Sequence, residues 1–320
     1  MAGLMRYRPF RNFDPPALVA VWNESMTCRG AIEMRSSALF ETIILDKPYF
    51  DPHGLIIAET DEGQIAGFVQ AGFGPADDFS SIQKSQGVVC MIVVRPAFQR
   101  QGVGAALLAR AETYLRQQGA ATIQAGSQRP AKPFFLGLYG GSNAPGFLES
   151  DTAIHPFLKK HGYVPHQKIN VFDRRVDVPL NIVDPRFAPL RKKYETQVIP
   201  QARLGSWWRE SVIGPLEPSE FRLDDKQSGN TVAKALFWEM KDYGWRWGAP
   251  AAGVIDVQVR TEFRRLGIGK HMVAQLLRHL AEQYFGIVEV QIPEKEAEAM
   301  RMFRALGFNQ VDTGVSYLKT

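Results

Sequence analysis

One twelve-residue segment occurs twice in this chain, 165 positions apart, as residues 93–104 and 258–269. The identical positions are Val94/Val259, Arg95/Arg260, Phe98/Phe263, Arg100/Arg265, Gly102/Gly267 and Gly104/Gly269. Each segment follows a short apolar run that is typical of a strand. Each continues into a stretch with apolar residues three and four positions apart, which is typical of a helix. A repeat of this size predicts two similar domains in one chain.

A second, weaker match lies downstream of each segment. Residues 157–163 align with residues 302–308, now 145 positions apart, so the first copy contains about 20 more residues than the second. The extra residues fall within 126–150, a stretch rich in Gly, Pro, Ser and aromatic residues. This composition predicts an irregular loop with a functional role.

The domain boundary is predicted where three prolines interrupt any regular pattern, between Val178 and Pro189. We therefore assign residues 1–178 to a first domain and 179–320 to a second. The first domain opens with helical and strand patterns at Asp14–Ser25, Ser36–Ile44, Leu55–Thr60 and Gln64–Phe73. In the second domain only about 30 residues separate Pro189 from its strand patterns at Phe221–Leu223 and Thr231–Met240. Its opening helices must therefore be short or absent.

The composition excludes several classes of protein. The chain has 320 residues and a net charge of +5, with Lys and Arg spread along it, which argues against nucleic-acid binding and fits an anionic small molecule. It has no apolar run of about 18 residues that would cross a membrane. Cys28 and Cys90 have no metal-binding or redox spacing, so we expect a cytoplasmic protein without a metal. The oligomeric state stays open between monomer and homodimer.

Each repeated segment has the chemistry of an anion site. Glycines between a strand and a helix let the backbone approach a ligand closely, and the first amides of the helix point toward negative charge. Neither copy has the third glycine of a Rossmann fingerprint, and neither continues as the Gly-Lys-Ser/Thr of a Walker loop.

The whole pattern resembles the GNAT superfamily of acyl-CoA N-acyltransferases, twice over. Both segments look like its pyrophosphate-binding loop, and both copies end with a helix followed by Gly and an aromatic residue, Gly162-Tyr163 and Gly307-Phe308. The resemblance implies two tandem α/β domains, each a twisted mixed sheet with two splayed central strands. It also implies acetyl-CoA, or another short acyl-CoA, as co-substrate, and direct transfer of the acetyl group to a primary amine of a small or amino-acid-like molecule.

The resemblance also assigns residues to cofactor binding. The backbone of one strand would hold the pantetheine and thioester, and the glycine loop would hold the pyrophosphate. In the first copy these residues are Ile92, Val94, Gln99, Arg100, Gln101, Gly102, Val103 and Gly104. In the second they are Val257, Val259, Arg264, Arg265, Leu266, Gly267, Ile268 and Gly269.

The chain departs from the family at one catalytic position. Many members have a tyrosine in the last helix that protonates the departing thiolate, and this chain has Leu158 and Phe303 there. Water or another hydroxyl can replace it, so an enzyme remains the leading hypothesis. The alternative is an acyl-CoA-binding sensor or structural pseudoenzyme without turnover.

Three other residues are candidates for proton transfer. Tyr139 belongs to the inserted loop and Asp151 follows it. The alternative for Tyr139 is that it packs the loop, and the alternative for Asp151 is that it caps the last helix. Asp256 interrupts an apolar strand, where it is either a base with a raised pKa or paired in a salt bridge with a neighbouring strand. His155, which follows Asp151, is expected at the surface.

Other candidates have a plainer explanation beside the functional one. Glu24 and Glu33 would meet an acceptor's ammonium or lie at the surface, and the tryptophans of the second half would form a cation pocket or pack between domains. Because the first copy has the opening helices and the insertion, we expect it to be the catalytic one. The second would then support it and close the acceptor cleft.

Overall fold

The computed structural model describes residues 5–320. Its strands are β1 (Met5–Pro9), β2 (Leu55–Thr60), β3 (Ile65–Pro75), β4 (Ile82–Val94), β5 (Thr122–Ala125), β6 (Phe147–Leu148), β7 (Val164–Arg175), β8 (Tyr194–Ile199), β9 (Ser219–Asp225), β10 (Thr231–Glu239), β11 (Ala251–Val259), β12 (Ile287–Pro293) and β13 (Asn309–Lys319). The α/β fold class with a mixed sheet is confirmed.

The α-helices are α1 (Pro15–Ser25), α2 (Ser37–Phe40), α3 (Val103–Gln117), α4 (Ile154–Lys160), α5 (Phe187–Lys193), α6 (Trp207–Ile213), α7 (Lys241–Trp247), α8 (Ile268–Glu282) and α9 (Ala297–Ala305). The two helices that follow the glycine loops, α3 and α8, each have 15 residues. Both begin where the repeat predicts, at Val103 and Ile268, and each follows a glycine with a positive φ angle. Within residues 5–320, no helix has the length and apolar character needed to cross a membrane.

All strands join one continuous sheet in the order β1-β2-β3-β4-β5-β13-β7-β12-β11-β10-β9-β8, with β6 paired to β13. The order shows that the two halves exchange their last strands. The C-terminal strand β13 pairs with β5 of the first half, and β7, the last strand of the first half, pairs with β12 of the second. The two exchanged strands also pair with each other at the centre of the sheet.

This exchange separates the sequence boundary from the structural one. A cut at 178/179 leaves β7 with the first half, although β12 needs it as a neighbour. The boundary predicted from the prolines stays a prediction about the repeat, because the sheet of each half is completed by a strand of the other.

The central strands of each half diverge at equivalent places. The parallel pair β4–β5 is bonded from Gln86 to Val89, and the parallel pair β11–β12 from Ala251 to Val254. Beyond these residues β4 and β11 each contain a bulge and continue away from their parallel neighbour. The divergence creates a V-shaped opening in each half.

Apolar packing divides the molecule unequally. One core combines the first half with α6, α7 and one face of the second half's strands, and includes Trp22, Phe68, Trp208, Trp238 and Tyr243. A smaller core joins α8 and α9 to the other face of the second half's strands. The larger core therefore holds the halves together on the face that carries the inserted segment.

Candidate active site

The two glycine loops have the same backbone conformation. Arg100 and Gly102 have φ angles of 61° and 86°, and Arg265 and Gly267 have 68° and 81°. In both loops a side chain returns to the end of the preceding strand. Gln99 Nε2 donates to the Val94 carbonyl at 2.9 Å, and Arg264 Nε donates to the Val259 carbonyl at 3.1 Å. Both loops thus present a helix N-terminus to solvent in the manner of an anion site.

A cleft of about 1700 Å³ opens at the second loop. It follows the V between β11 and β12, and its walls are the ends of those strands, the loop and α9. Of the second-copy residues assigned to the cofactor, all line the cleft except Leu266, which is exposed. None of the first-copy cofactor residues lines it. The residues present in the second half therefore fit an elongated co-substrate.

The charge of the cleft also fits such a ligand. Three acidic residues line it, Asp256, Glu296 and Glu298. The basic residues that line it are Arg129, Arg186, Arg222, Lys234, Arg260, Arg264, Arg265, Lys270, Lys295 and Arg301. Five of these basic side chains also pair with acidic residues beside the cleft, Asp184, Glu220 and Glu262. With these three included, ten basic residues stand against six acidic ones, so the surroundings of the cleft have a small excess of positive charge. Such an excess attracts an anionic ligand.

The first half is arranged differently at the same place. Its strand β5 ends at Ala125, and the chain continues into the inserted segment, residues 126–150. The Gly126 amide still donates to the Val89 carbonyl at 2.9 Å, and Ala131 and Phe134 are buried against β3 at Gly74 and Gly72. The inserted segment therefore covers the first half's sheet instead of leaving a loop that closes and opens.

The same segment crosses to the second half. The Ser142 carbonyl accepts from Trp238 Nε1 at 3.1 Å, and the Ser142 amide donates to Glu289 at 2.6 Å. Gln291 Nε2 donates to the carbonyls of Gly140 at 2.6 Å and Asn143 at 3.1 Å. Asn143 and Ala144 line the large cleft. The insertion of the first copy is thus a wall of the second copy's cleft.

Gly141 shows how closely this segment approaches β12. It has a φ angle of +87°, and a Cβ there would lie 2.1 Å from Glu289 Oε1. Glu289 is buried and pairs with Arg29, which also pairs with Asp173 of β7. Burial raises the pKa of Glu289 against the lowering effect of Arg29. The close approach therefore depends on a glycine and on an ion pair between the halves.

Asp256 occupies the bulge of β11 with a φ angle of +54°. Its carboxylate pairs with Arg129 of the inserted segment and with Arg209 of α6. Burial alone would raise the pKa of Asp256, but Arg129, Arg209 and Lys132 outweigh it and hold the pKa below its ordinary value. The lowered pKa does not fit the raised pKa expected of a base, and the ion pairs come from a loop and a helix rather than from a neighbouring strand.

Tyr139 and Asp151 are adjacent, but they lie apart from the large cleft. The Tyr139 hydroxyl accepts from the Leu148 amide at 2.9 Å and lies 3.5 Å from Asp151 Oδ2. Burial raises the pKa of Tyr139 far above its ordinary value and also raises that of Asp151. Helix α4 has no side-chain cap, so the capping alternative for Asp151 is wrong. His155 is half-buried and contacts the Tyr317 hydroxyl at 2.7 Å.

Most of the remaining candidate residues are paired with other side chains or buried in the cores. Glu24 pairs with Arg95, and Glu33 is exposed. Cys90 is buried in β4, where burial raises the pKa of its thiol to about 12. Leu158 and Phe303 are buried in the cores, so neither position offers a hydroxyl. The tryptophans of the second half are spread over α6, β10 and α7, and Trp238 bonds the inserted segment.

One residue of the inserted segment was missed. Lys132 is 4% exposed, and its Nζ donates to Asn143 Oδ1 at 2.5 Å. Burial, with a smaller contribution from Arg129 and against the opposing effect of Asp256, lowers its pKa to about 7. Its signal in the sequence is a lysine between two prolines in an otherwise apolar stretch, Pro130 to Leu138.

Comparisons with known proteins agree with this geometry. The Acetyltransferase (GNAT) family matches residues 18–138, and the FR47-like protein family matches residues 239–316. The chain belongs to the GNAT superfamily, as a tandem pair. This tandem GNAT protein is therefore an enzyme of the acetyltransferase family, whose members use acyl-CoA. The resemblance drawn from the repeat is confirmed.

Individual relatives cover the same length. A mycothiol acetyltransferase of Saccharomonospora viridis is 23% identical over 93% of this chain and 97% of its own. A tandem GNAT protein from the clavulanic acid biosynthesis pathway matches with a TM-score of 0.70 and 15% identity, covering 99% of this chain and 98% of that one. A GCN5-related N-acetyltransferase from Sphaerobacter thermophilus matches with a TM-score of 0.64 and 18% identity, covering 98% and 95%.

A further structural match is to a much longer chain. It is a fungal multi-domain β-N-acetylglucosaminidase with a GCN5-related glucosamine N-acetyltransferase region, with a TM-score of 0.74 and 16% identity. All of the tandem GNAT chain is covered, but it spans only 38% of that protein. These structural likenesses show the tandem fold over its whole length.

Proposed function

We propose that this chain is an acetyl-CoA-dependent N-acetyltransferase that transfers an acetyl group to a primary amine of a small or amino-acid-like molecule. We place the reaction in the cleft of the second copy. The observation that carries the proposal is the basic cleft of about 1700 Å³ along β11 and β12, which ends at the second glycine loop. This reverses our expectation that the first copy, with its full opening helices, is the catalytic one.

In the proposed binding mode the loop amides from Arg264 to Gly269 hold the pyrophosphate. The backbone of Val257 and Val259, at the divergent end of β11, pairs with the pantetheine arm. The basic side chains around the cleft neutralise the phosphates. The thioester then lies toward the apex of the V, where the inserted segment forms the wall.

The proposed reaction needs one nucleophile and two proton transfers. The neutral amine attacks the thioester carbonyl carbon, the C–N bond forms, and the C–S bond breaks. The amine gives up a proton to water or a side chain, and the departing thiolate takes one. Phe303 offers no proton at the position where many relatives have a tyrosine, so we assign that step to water.

A small acceptor is favoured by two observations. The inserted segment lines the inner end of the cleft and is fixed by hydrogen bonds to β10 and β12, which favours a small acceptor over a folded protein surface. The relative named mycothiol acetyltransferase matches along nearly the full length and acts, by its name, on a small molecule.

The test is isothermal titration with acetyl-CoA, followed by a thiol-release assay over a panel of primary amines that includes D-glucosamine, L-cysteine and L-lysine. We expect acetyl-CoA binding, with one amine or class of amines releasing CoA. No binding at high micromolar acetyl-CoA would refute the proposal.

A second candidate function is an acyl-CoA-binding sensor without turnover. Two observations favour it. Phe303 has no proton to give to the departing thiolate, and the ion pairs of Asp256 keep its carboxylate from acting as a base. Tight binding of acetyl-CoA without thiol release on any amine would support this alternative.

A further inference from the structure

Asn143 is a side chain of the first copy at the inner end of the second copy's cleft. It lines the cleft, and its own carbonyl accepts from Gln291 of β12 at 3.1 Å. Gln291 is the first residue of β12 after the last bonded pair with β11, Val254 and Val290. Asn143 therefore lies beside the apex of the V, where the proposed function places the thioester.

The orientation of the Asn143 amide is fixed by two donors. Lys132 Nζ lies 2.5 Å from its Oδ1, and the Ala144 amide lies 3.0 Å from the same atom. Since a lysine amine and a backbone N–H both donate, the atom between them has to be the oxygen. The nitrogen, Nδ2, is then the part of the amide that remains for another partner.

No residue among 5–320 accepts a hydrogen bond from this Nδ2, and it is not one of the buried polar atoms that lack a partner. It is thus an accessible donor on a cleft-lining side chain. Its neighbours in the inserted segment are anchored to the second half by Trp238, Glu289 and Gln291, so the donor is held on a rigid support.

Lys132 makes this arrangement unusual. A lysine that is 4% exposed is costly to bury, and its Nζ has Asn143 as its hydrogen-bond partner among the described residues. The surrounding charges are Arg129 and Arg209, which disfavour the ammonium, and Asp256, which favours it. A purely structural contact in this position would be served better by an apolar side chain.

We propose that Asn143 donates from Nδ2 to the carbonyl oxygen of the bound thioester, and that Lys132 is the positioning residue that holds it there. The inference rests on the proposed function. It makes the second copy's active site incomplete without the first copy, whose insertion supplies a donor at the atom where negative charge develops. A donor that is fixed before the reaction stabilises that charge without reorganisation.

The decisive variant is Asn143→Asp. It keeps the oxygen that Lys132 and Ala144 bind, and replaces the donor by an oxygen. We expect kcat for thiol release, measured with the most active amine of the panel, to fall about 100-fold, as for the loss of one oxyanion donor. The Kd of acetyl-CoA should stay within about threefold, because the interaction is strongest in the transition state.

Gln167→Glu is the matched control. Gln167 also comes from the first half and lines the same cleft, but its side chain is exposed and is not held by Lys132. The control makes the same change from amide to carboxylate, and we expect kcat within about twofold of the unaltered enzyme. Lys132→Met should lower kcat by an intermediate factor of about five to ten, because the Asn143 amide then rotates.

The outcomes separate the two proposals. If the unaltered enzyme turns over and N143D has an unchanged kcat, or if Q167E loses as much as N143D, the assignment of Asn143 is overturned and the proposed function stands. If N143D does not fold, N143A, which leaves no side-chain donor at this position, replaces it in the comparison. If the unaltered enzyme releases no thiol with any amine, both proposals fall.

Discussion

The two glycine loops of this chain have nearly the same backbone but different surroundings. Arg100 and Arg265 share a left-handed conformation within a few degrees, and each loop returns a side chain to the strand before it. Only the second loop borders the large basic cleft. The comparison teaches that the repeated motif determines the shape of the anion site, while the chain outside it determines whether a ligand has room.

The difference between the halves comes from about 20 residues. In the second half β12 continues to Pro293 and leaves the V open, while in the first half β5 ends at Ala125 and the insertion follows. The insertion covers its own sheet and then bonds β10 and β12 of the other half. One segment therefore accounts for both the covered first half and the walled second half.

The largest effect is expected from expressing the two halves as separate fragments. Fragments 1–178 and 179–320 each lack a strand that the other contributes, so we expect neither to fold alone. Co-expression should give a soluble complex, because β13 then returns to β5 and β7 to β12. Solubility and circular dichroism of each fragment, alone and together, check this.

A shifted cut serves as the control. A fragment of residues 162–320 retains β7 beside both β12 and β13, so it should be more soluble than 179–320. A well-folded 179–320 would show that the strand exchange contributes little to the stability of the second half.

The next largest effect is expected from reversing charge in one loop at a time. Arg264→Glu combined with Arg265→Glu places two carboxylates beside the proposed pyrophosphate site. We expect the Kd of acetyl-CoA to rise about 100-fold, since charges at a protein surface interact by about 1–4 kcal/mol at contact distance. Both side chains are exposed, so the fold should be retained.

The matched variant is Gln99→Glu combined with Arg100→Glu in the first loop, where titration should give a Kd within about threefold of the unaltered chain. Equal losses in the two double variants would place cofactor binding in both halves. If only the variant of the first loop lost affinity for acetyl-CoA, the first copy would be the catalytic one.

The sequence predicts what depends on neighbouring residues and misses what depends on distant ones. The repeat identified the loops, the helices after them and the family, because glycine conformation and helical periodicity are local. It could not show the strand exchange, since the pairing of β13 with β5 joins residues almost 200 positions apart. It also could not show that Arg129 and Arg209, 80 positions apart, meet at Asp256.

A smaller effect is expected at the ion pair that joins the halves. Arg29 pairs with buried Glu289 and with Asp173, so Arg29→Met leaves a buried carboxylate without its cation. We expect a loss of about 3 kcal/mol in the free energy of unfolding, reduced from the upper range because Arg29 is partly exposed. Urea denaturation measures it.

The pH dependence gives this prediction its sign. Burial raises the pKa of Glu289, so its protonated form is favoured in the folded state. Without Arg29 that preference grows, and the variant should lose stability as the pH rises through the raised pKa. Arg175→Met, which removes an exposed pair with Asp177, is the control and should change stability little. An equally small effect of R29M would mean that this ion pair contributes little to holding the halves together.

The smallest effect is expected at Lys132, where a substitution should increase the stability of the fold. Burial lowers the pKa of Lys132 to about 7, and of Lys47 to about 8, while both pKa values are near 10.5 in the unfolded chain. Between these values the unfolded chain binds more protons, so stability should rise with pH from about 7 to 10. Lys132→Met should stabilise the protein at pH 6 by about 1–2 kcal/mol and flatten this rise. Lys84→Met, at an exposed lysine, is the control.

Lys132→Met thus has opposite expected effects on stability and on turnover. If the lysine only filled space in the first half, its removal would stabilise the protein at no cost to kcat. If it orients Asn143 for the second half, the more stable variant should be the slower enzyme, as when an active site keeps a destabilising group for function. Thermal unfolding at pH 6 and thiol release on the same preparation distinguish the two, and a variant that is both more stable and fully active would show that the inserted segment only supports the fold.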